Sequence, residues 1–181
     1  MKYLLIGWLF FFSAGCSVTE KKPAFHDFGV SLSTATHQDK ASVSVNAPTW
    51  LWDNRIRYRL LFSAPSQVRF YGLDRWIAPP PELLEQLLTS SNKAQDYILI
   101  VRLHDFEQQF DAPDRARAVL SFSVEAYSVN NKQKIASREF YLQQPTKTPD
   151  AAGAINGFTD LTKQATEKIQ TWLMELSNHQ H

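Results

Sequence analysis

Apolar and polar positions alternate with period two in several stretches of the chain, the signature of half-buried strands. In 41–47 (ASVSVNA) Val43 and Val45 alternate with polar residues, and Pro48 ends the run. In 55–62 (RIRYRLLF) Ile56, Tyr58, Leu60 and Phe62 point one way and Arg55, Arg57 and Arg59 the other. A turn at Ser63-Ala64-Pro65-Ser66 and a return strand over 68–71 make 55–71 a predicted hairpin. Ala118, Leu120, Phe122, Val124 and Ala126 mark the inner face of another strand, which turns at Asn130-Asn131 and returns over 135–142. Residues 25–33 (FHDFGVSLS) are a further extended piece, and 34–40 (TATHQDK) a polar loop. Residues 97–103 (YILIVRL) form a nearly continuous apolar run, which predicts a central strand covered on both faces. The acidic stretch that follows it, from Asp105 to Asp114, reads as a loop, and so does 143–150.

The period lengthens in two places. After Pro79-Pro80-Pro81 the leucines 83, 84, 87 and 88 form a helical stripe, and proline suits the first turn because its missing N–H has no partner there. From Ala151 to Leu176 the positions Ile155, Phe158, Thr162, Ala165, Ile169, Trp172 and Leu176 recur at three- and four-residue spacing. Gly153 and Gly157 weaken the first turns of that helix. No internal linker or repeat breaks the pattern, so the expectation is one α/β domain over 25–177 with a polar tail, 178–181.

The start of the chain is different. Lys2 is the only charge in MKYLLIGWLFFFSAGC, and an apolar stretch from Tyr3 to Phe12 precedes small residues. This is the layout of a secretory signal, and it is too short for a membrane span of about 20 residues. Ser13-Ala14-Gly15-Cys16 resembles a bacterial lipobox, with Ser13 where leucine is usual. That resemblance implies cleavage between Gly15 and Cys16 and acylation of Cys16, with 1–15 as signal peptide and 16–24 as the lipidated residue and tether. Ser17 rather than aspartate after the cysteine implies, by similarity to enterobacterial lipoproteins, export to the outer membrane.

Composition narrows the chemistry. Of 181 residues, 19 are basic and 18 acidic, a balance that does not suit a nucleic-acid binder. The single cysteine excludes a disulfide framework or a cysteine-rich metal site. His26, His37, His104, His179 and His181 form no paired ligand spacing, and no phosphate-binding glycine loop or GxSxG elbow occurs. His104 and Asp105, as neighbours after a strand, are expected to point to opposite faces. No catalytic residue, metal ligand or cofactor is expected. Two features could bind. Arg55, Arg57 and Arg59 make a comb that either meets an acidic partner or lipid phosphates, or is a solvated sheet face or an internal ion-pair network. Trp50-Leu51-Trp52 either presents rings to an interface or packs in the core. Replacing all three arginines with serine is expected to weaken partner binding and to leave the fold intact.

Four segments together resemble the ABC-type transport auxiliary lipoprotein family, which includes the paraquat-inducible lipoprotein C group. They are PTWLWDNRIRYRLLF (48–62), VRFYGLDRWIAPPPELLEQLL (68–88), YILIVRLHDFEQQFD (97–111) and DAAGAINGFTDLTKQ (150–164). The matching positions are Leu51, Tyr58-Arg59, Tyr71, Arg75-Trp76, the Leu83-Leu84-Leu87 helix and the acidic-Phe-x-Gln-x-Phe segment from Asp105 to Phe110; Trp52 departs from the pattern. The resemblance implies a three-layer α/β domain with a mixed sheet packed by helices. It also implies a non-catalytic lipoprotein facing the periplasm from the inner leaflet of the outer membrane. There it would dock an MCE-domain protein and its ABC permease and ATPase in a system that moves lipids between the membranes, and it could self-associate. Trp50, Trp52, Arg55, Arg57, Arg59, Arg75 and Trp76 are the candidate partner surface. The alternatives are a stand-alone lipid-binding or outer-membrane assembly lipoprotein, and a structural envelope lipoprotein.

Overall fold

The structure is a computed structural model that describes residues 21–29, 43–91 and 97–178. The signal segment 1–15, Cys16, the tether to residue 20, the loop 34–40 and the tail from 179 lie outside the described residues. Seven strands and two helices follow in the order β1 (Ala24–His26), β2 (Val43–Asn46), β3 (Arg55–Leu60), β4 (Ala64–Trp76), α1 (Pro80–Ser91), β5 (Tyr97–Ala112), β6 (Arg115–Ser128), β7 (Lys134–Pro145) and α2 (Ala151–Asn178). One mixed sheet runs β1-β4-β3-β5-β6-β7. β2 pairs with the first half of β5 and β3 with its last residues, both in parallel, so the two short strands lie end to end along one side of β5.

The α/β domain with a mixed sheet is what the alternation predicts; several boundaries move. β1 stops at His26 because Asp27 Oδ1 accepts the Gly29 N–H (2.7 Å) and Gly29 turns the chain at φ +67°, which sends Phe28 into the core. The β3–β4 turn is Leu61-Phe62-Ser63 rather than 63–66, and Phe62 is exposed there instead of continuing the inner face. Pro65 falls where the pairing jumps from Leu60↔Ala64 to Arg59↔Val68, an irregularity that accepts a residue without an N–H.

β5 does not end at Leu103. It continues through the acidic segment to Ala112, and its pairing with β6 slips between Leu103 and Asp105. The bulge changes the phase: Tyr97, Leu99, Val101 and Leu103 are buried before it, Phe106, Gln108 and Phe110 after it. Nor is β5 covered on both faces. Ile98 and Ile100 are half-buried and Arg102 is exposed, because α1 packs on β2 and α2 on β6 and β7, all from one side. The two helices meet over Leu99, where Leu88, Ile169 and Leu173 close in. The described elements therefore make one layer of helix and one of sheet, and no described element forms the third layer. Among the described residues no helix of the α type covers the other sheet face, called the open face below.

Asp150 opens α2: its carboxylate accepts the Gly153 N–H (2.8 Å) and the Thr148 hydroxyl (2.6 Å), and these bonds hold its pKa below the usual carboxylate range. Gly157 lets the helix approach β6 closely. A Cβ there would stand 2.9 Å from Ala118 Cβ and 3.2 Å from Thr146 Cγ2. Gly157→Val is accordingly expected to destabilise the domain by about 1–3 kcal/mol through overpacking, read as a lower urea midpoint with unchanged slope. A Gly157→Val protein as stable as the parent would show that the helix has room to move away.

The inner face carries one buried polar cluster. Tyr71 Oη donates to Gln108 Oε1 (2.5 Å), and Gln108 Nε2 donates to Thr146 Oγ1 (3.1 Å), so the fully buried amide is satisfied at both ends. Burial pushes the Tyr71 phenol up.

Candidate functional site

The arginine comb and the Trp50–Trp52 segment, noted separately in the sequence, border the same cleft of about 660 Å³ on the open sheet face. One wall is the turn of 3₁₀ helix Thr49–Leu51 and the residues after it. That tight turn drives Leu51 into the core (2% exposed) and leaves Trp50 and Trp52 outside at 63% and 48%. The tryptophan segment thus divides: its middle residue packs inside and its two rings face solvent. Trp52 Nε1 donates to Ala47 O (3.2 Å), which fixes that ring at the rim.

The floor is β3. Arg55, Arg57 and Arg59 all line the cleft, with Val68 and Phe70 of β4 on one side and Asp105, Phe106 and Glu107 of β5 on the other. The three arginines differ in what they hold. Arg55 donates to Asp53 through Nε (2.7 Å) and its backbone N–H (2.8 Å), and its guanidinium lies 3.7 Å over the Phe70 ring. The Asp53 carboxyl is held below its ordinary range, chiefly by the Arg55 side chain. Arg59 grips Glu107 with two parallel bonds of 3.0 and 3.1 Å and donates to Pro65 O (3.0 Å).

Arg57, between them, pairs with no carboxylate among the described residues. Its Nη1 donates to Trp50 O (2.8 Å), and its Nε is buried with no hydrogen-bond partner among the described residues. Burial pulls its pKa below the ordinary guanidinium value, against the attraction of Glu107. The internal ion-pair reading of the comb therefore describes Arg55 and Arg59 and fails for Arg57.

Two residues of the candidate surface lie elsewhere. Trp76 is 1% exposed, in edge-on contact with Phe28, Phe106 and Phe158, so it is a core residue and cannot meet a partner. Arg75 is paired in register with Arg55 and is half-buried, and it is not among the residues that line the cleft. Conversely, Phe70, Asp105 and Glu107 belong to the cleft without having been singled out. His104 and Asp105 both line it, because the bulge breaks the alternation that would have put them on opposite faces. His104 Nε2 lies 3.2 Å from Ser123 Oγ on β6. Gly15 and Cys16 lie outside the described residues.

Among the described residues no three His, Cys, Asp or Glu side chains gather as metal ligands, and no helix is long and apolar enough to cross a membrane. The cleft brings together a cation with unused donor capacity, an aromatic rim and fixed carboxylates.

No protein-family model matches the chain, and no curated protein matches it. Solved structures share its fold. A Xanthomonas campestris protein of the family model DUF330 superposes with a TM-score of 0.66 at 19% identity, covering 76% of this chain and 85% of its own. A second, uncharacterised protein superposes with a TM-score of 0.64 at 13% identity, covering 84% of this chain and 99% of its own. At such identities the likeness is one of fold.

Proposed function

We propose that the chain is a lipid-anchored, periplasm-facing auxiliary component of an MCE-type ABC transport system, docked at the outer membrane through acylated Cys16, and that it acts by binding a partner rather than by catalysis. The lipobox-like start and the four resembling segments support the anchor and the system, and the fold shared with a DUF330 protein is compatible with both. The observation that carries a binding role is Arg57: a guanidinium in a 660 Å³ cleft, beside two exposed tryptophans, with one hydrogen bond and no counter-ion among the described residues.

A stand-alone lipid carrier is the second reading. It needs an apolar chamber between sheet and helices. Among the described residues, the gap lined by Leu88, Leu99, Ile169 and Leu173 measures about 10 Å³, room for about one water and not for an acyl chain.

The test is crosslinking in cells followed by pull-down, with Cys16→Ala as the unanchored control and Arg57→Ser as the cleft variant. Parent protein is expected to recover an MCE-domain protein or its ABC subunits. A lost charge-assisted bond contributes about 1.5–3 kcal/mol, so Arg57→Ser should lower recovery about tenfold or more. Recovery of neither protein by a folded, acylated parent would overturn the reading, and stoichiometric phospholipid on the purified domain would transfer it to the lipid carrier.

A further inference from the structure

A second surface is separate from the cleft lining. β1 pairs in parallel with the end of β4, in the register Ala24↔Asp74, Phe25↔Arg75 and His26↔Trp76. Register partners share a face and successive residues alternate. His26 and Asp74 are on the helix side with buried Trp76, and their 2.9 Å contact marks that side. Phe25, Leu73, Arg75 and Ile77 are therefore on the open side. Phe25 is 60% exposed, Leu73 44% and Ile77 64%, and the last two stand diagonally on either side of Phe25's partner, Arg75. The Ile77 N–H donates to His26 O (2.8 Å), which ties the end of β4 to β1.

Three exposed apolar side chains around an arginine are an unusual surface for a strand pair at a sheet edge. The charge beside them is basic. Lys21 and Lys22 are exposed immediately before β1. The nearby carboxylates are occupied: Asp53, within the field of Arg75, is paired with Arg55, Asp74 faces His26 on the other side, and Asp27 caps the Gly29 turn. Apolar residues rimmed by cations suit the boundary of an anionic bilayer, where rings and aliphatics enter the headgroup zone and cations meet phosphates.

Chain length selects the same occupant. Cys16 precedes Ala24 by eight residues. Fully extended, that segment reaches roughly 25–30 Å. An acyl anchor on Cys16 therefore holds β1, the described strand next to it in the chain, within that reach of the leaflet. We propose that the Phe25–Leu73–Ile77 corner seats on the phospholipid surface and sets the orientation of the domain, with the Arg57 cleft turned to a partner along the leaflet. The proposal rests on the acylation of Cys16 in the reading above.

The test uses the full chain, expressed and processed in cells and reconstituted into vesicles of phosphatidylethanolamine and phosphatidylglycerol. A photoreactive phenylalanine analogue replaces Phe25 or Ile77, and in control proteins Tyr141 or Met174, which are exposed on β7 and α2. All four positions are exposed, so the analogue leaves the core untouched. Intact-protein mass reports both the lipid on Cys16 and any photoadduct. Phospholipid adducts several-fold more abundant at Phe25 and Ile77 than at Tyr141 and Met174 are the expected result. Equal yields at all four positions on acylated protein overturn the orientation and leave the anchor standing. Adducts to another protein chain at Phe25 and Ile77, without lipid, overturn it in favour of a protein interface. An unmodified Cys16 removes the anchor and this inference with it.

Discussion

Trp76→Ala is expected to bring the domain close to unfolding. The indole is 1% exposed and stands edge-on to Phe28 at 5.3 Å, Phe106 at 5.9 Å and Phe158 at 5.9 Å, while Phe106 and Phe158 stack on each other at 4.0 Å. These rings join β4, β5, α2 and the chain after β1, and no element can collapse into the gap without losing another contact. Deleting a large buried aromatic costs about 3–5 kcal/mol, against a total stability of about 5–15 kcal/mol for a domain. Urea titration followed by far-ultraviolet circular dichroism measures the difference. Trp50→Ala, made at an exposed ring, is the control and should stay within about 0.5 kcal/mol of the parent. A Trp76→Ala loss no larger than that of the control would mean that the aromatic cluster does not hold the sheet to α2.

The second large effect separates two arginines of identical spacing. Arg59→Met should cost on the order of 3 kcal/mol, because it strands Glu107. That carboxylate has 7% of its side-chain surface exposed, and beyond Arg59 only the Gln109 amide, at 3.0 Å, donates to it from a side chain among the described residues. Arg57→Met should change stability by no more than about 1 kcal/mol, since it removes one bond to Trp50 O together with a buried Nε that has no acceptor. Paired denaturation curves decide it, and equal losses would show that the comb acts as one ionic network. The expectation that serine at all three positions spares the fold is therefore revised. Arg59 belongs to the scaffold, and Arg57 is the position where binding can be probed cleanly.

The difference between those arginines was not legible in the chain, and the reason lies on another strand. Alternation from Leu120 to Ala126 is unbroken, so faces and period there could be read directly. In β5 the bulge at His104 shifts the inward positions from odd to even numbers, from Leu103 to Phe106. A reader counting by twos stops at Leu103 and assigns the acidic residues to a loop. With Asp105 and Glu107 in a loop, Arg59 has no visible partner and the cleft has only one wall. Trp76 misled for a related reason. Beside Arg75, before three prolines, it resembles a surface motif, but it follows a β4 segment whose pairing with β3 jumps from Arg57↔Phe70 to Arg55↔Arg75, and local spacing cannot say which way it turns. The signal that remained was the restart at Phe106, Gln108 and Phe110, a period-two pattern out of phase with the first.

β1 has a mechanical meaning. Among the described residues it is three residues long, joined to one neighbour, and the first regular element. Tension arriving along that segment reaches the sheet through three residues of ladder before it reaches the long β5–β6–β7 meander. Peeling Ala24–His26 away would lengthen the leash by about 10 Å, at roughly 3.4 Å per residue, and leave the cleft's own strands, β3 to β5, paired. On the anchored, partner-binding reading proposed above, the protein would yield at that seam first and keep its cleft whole under load.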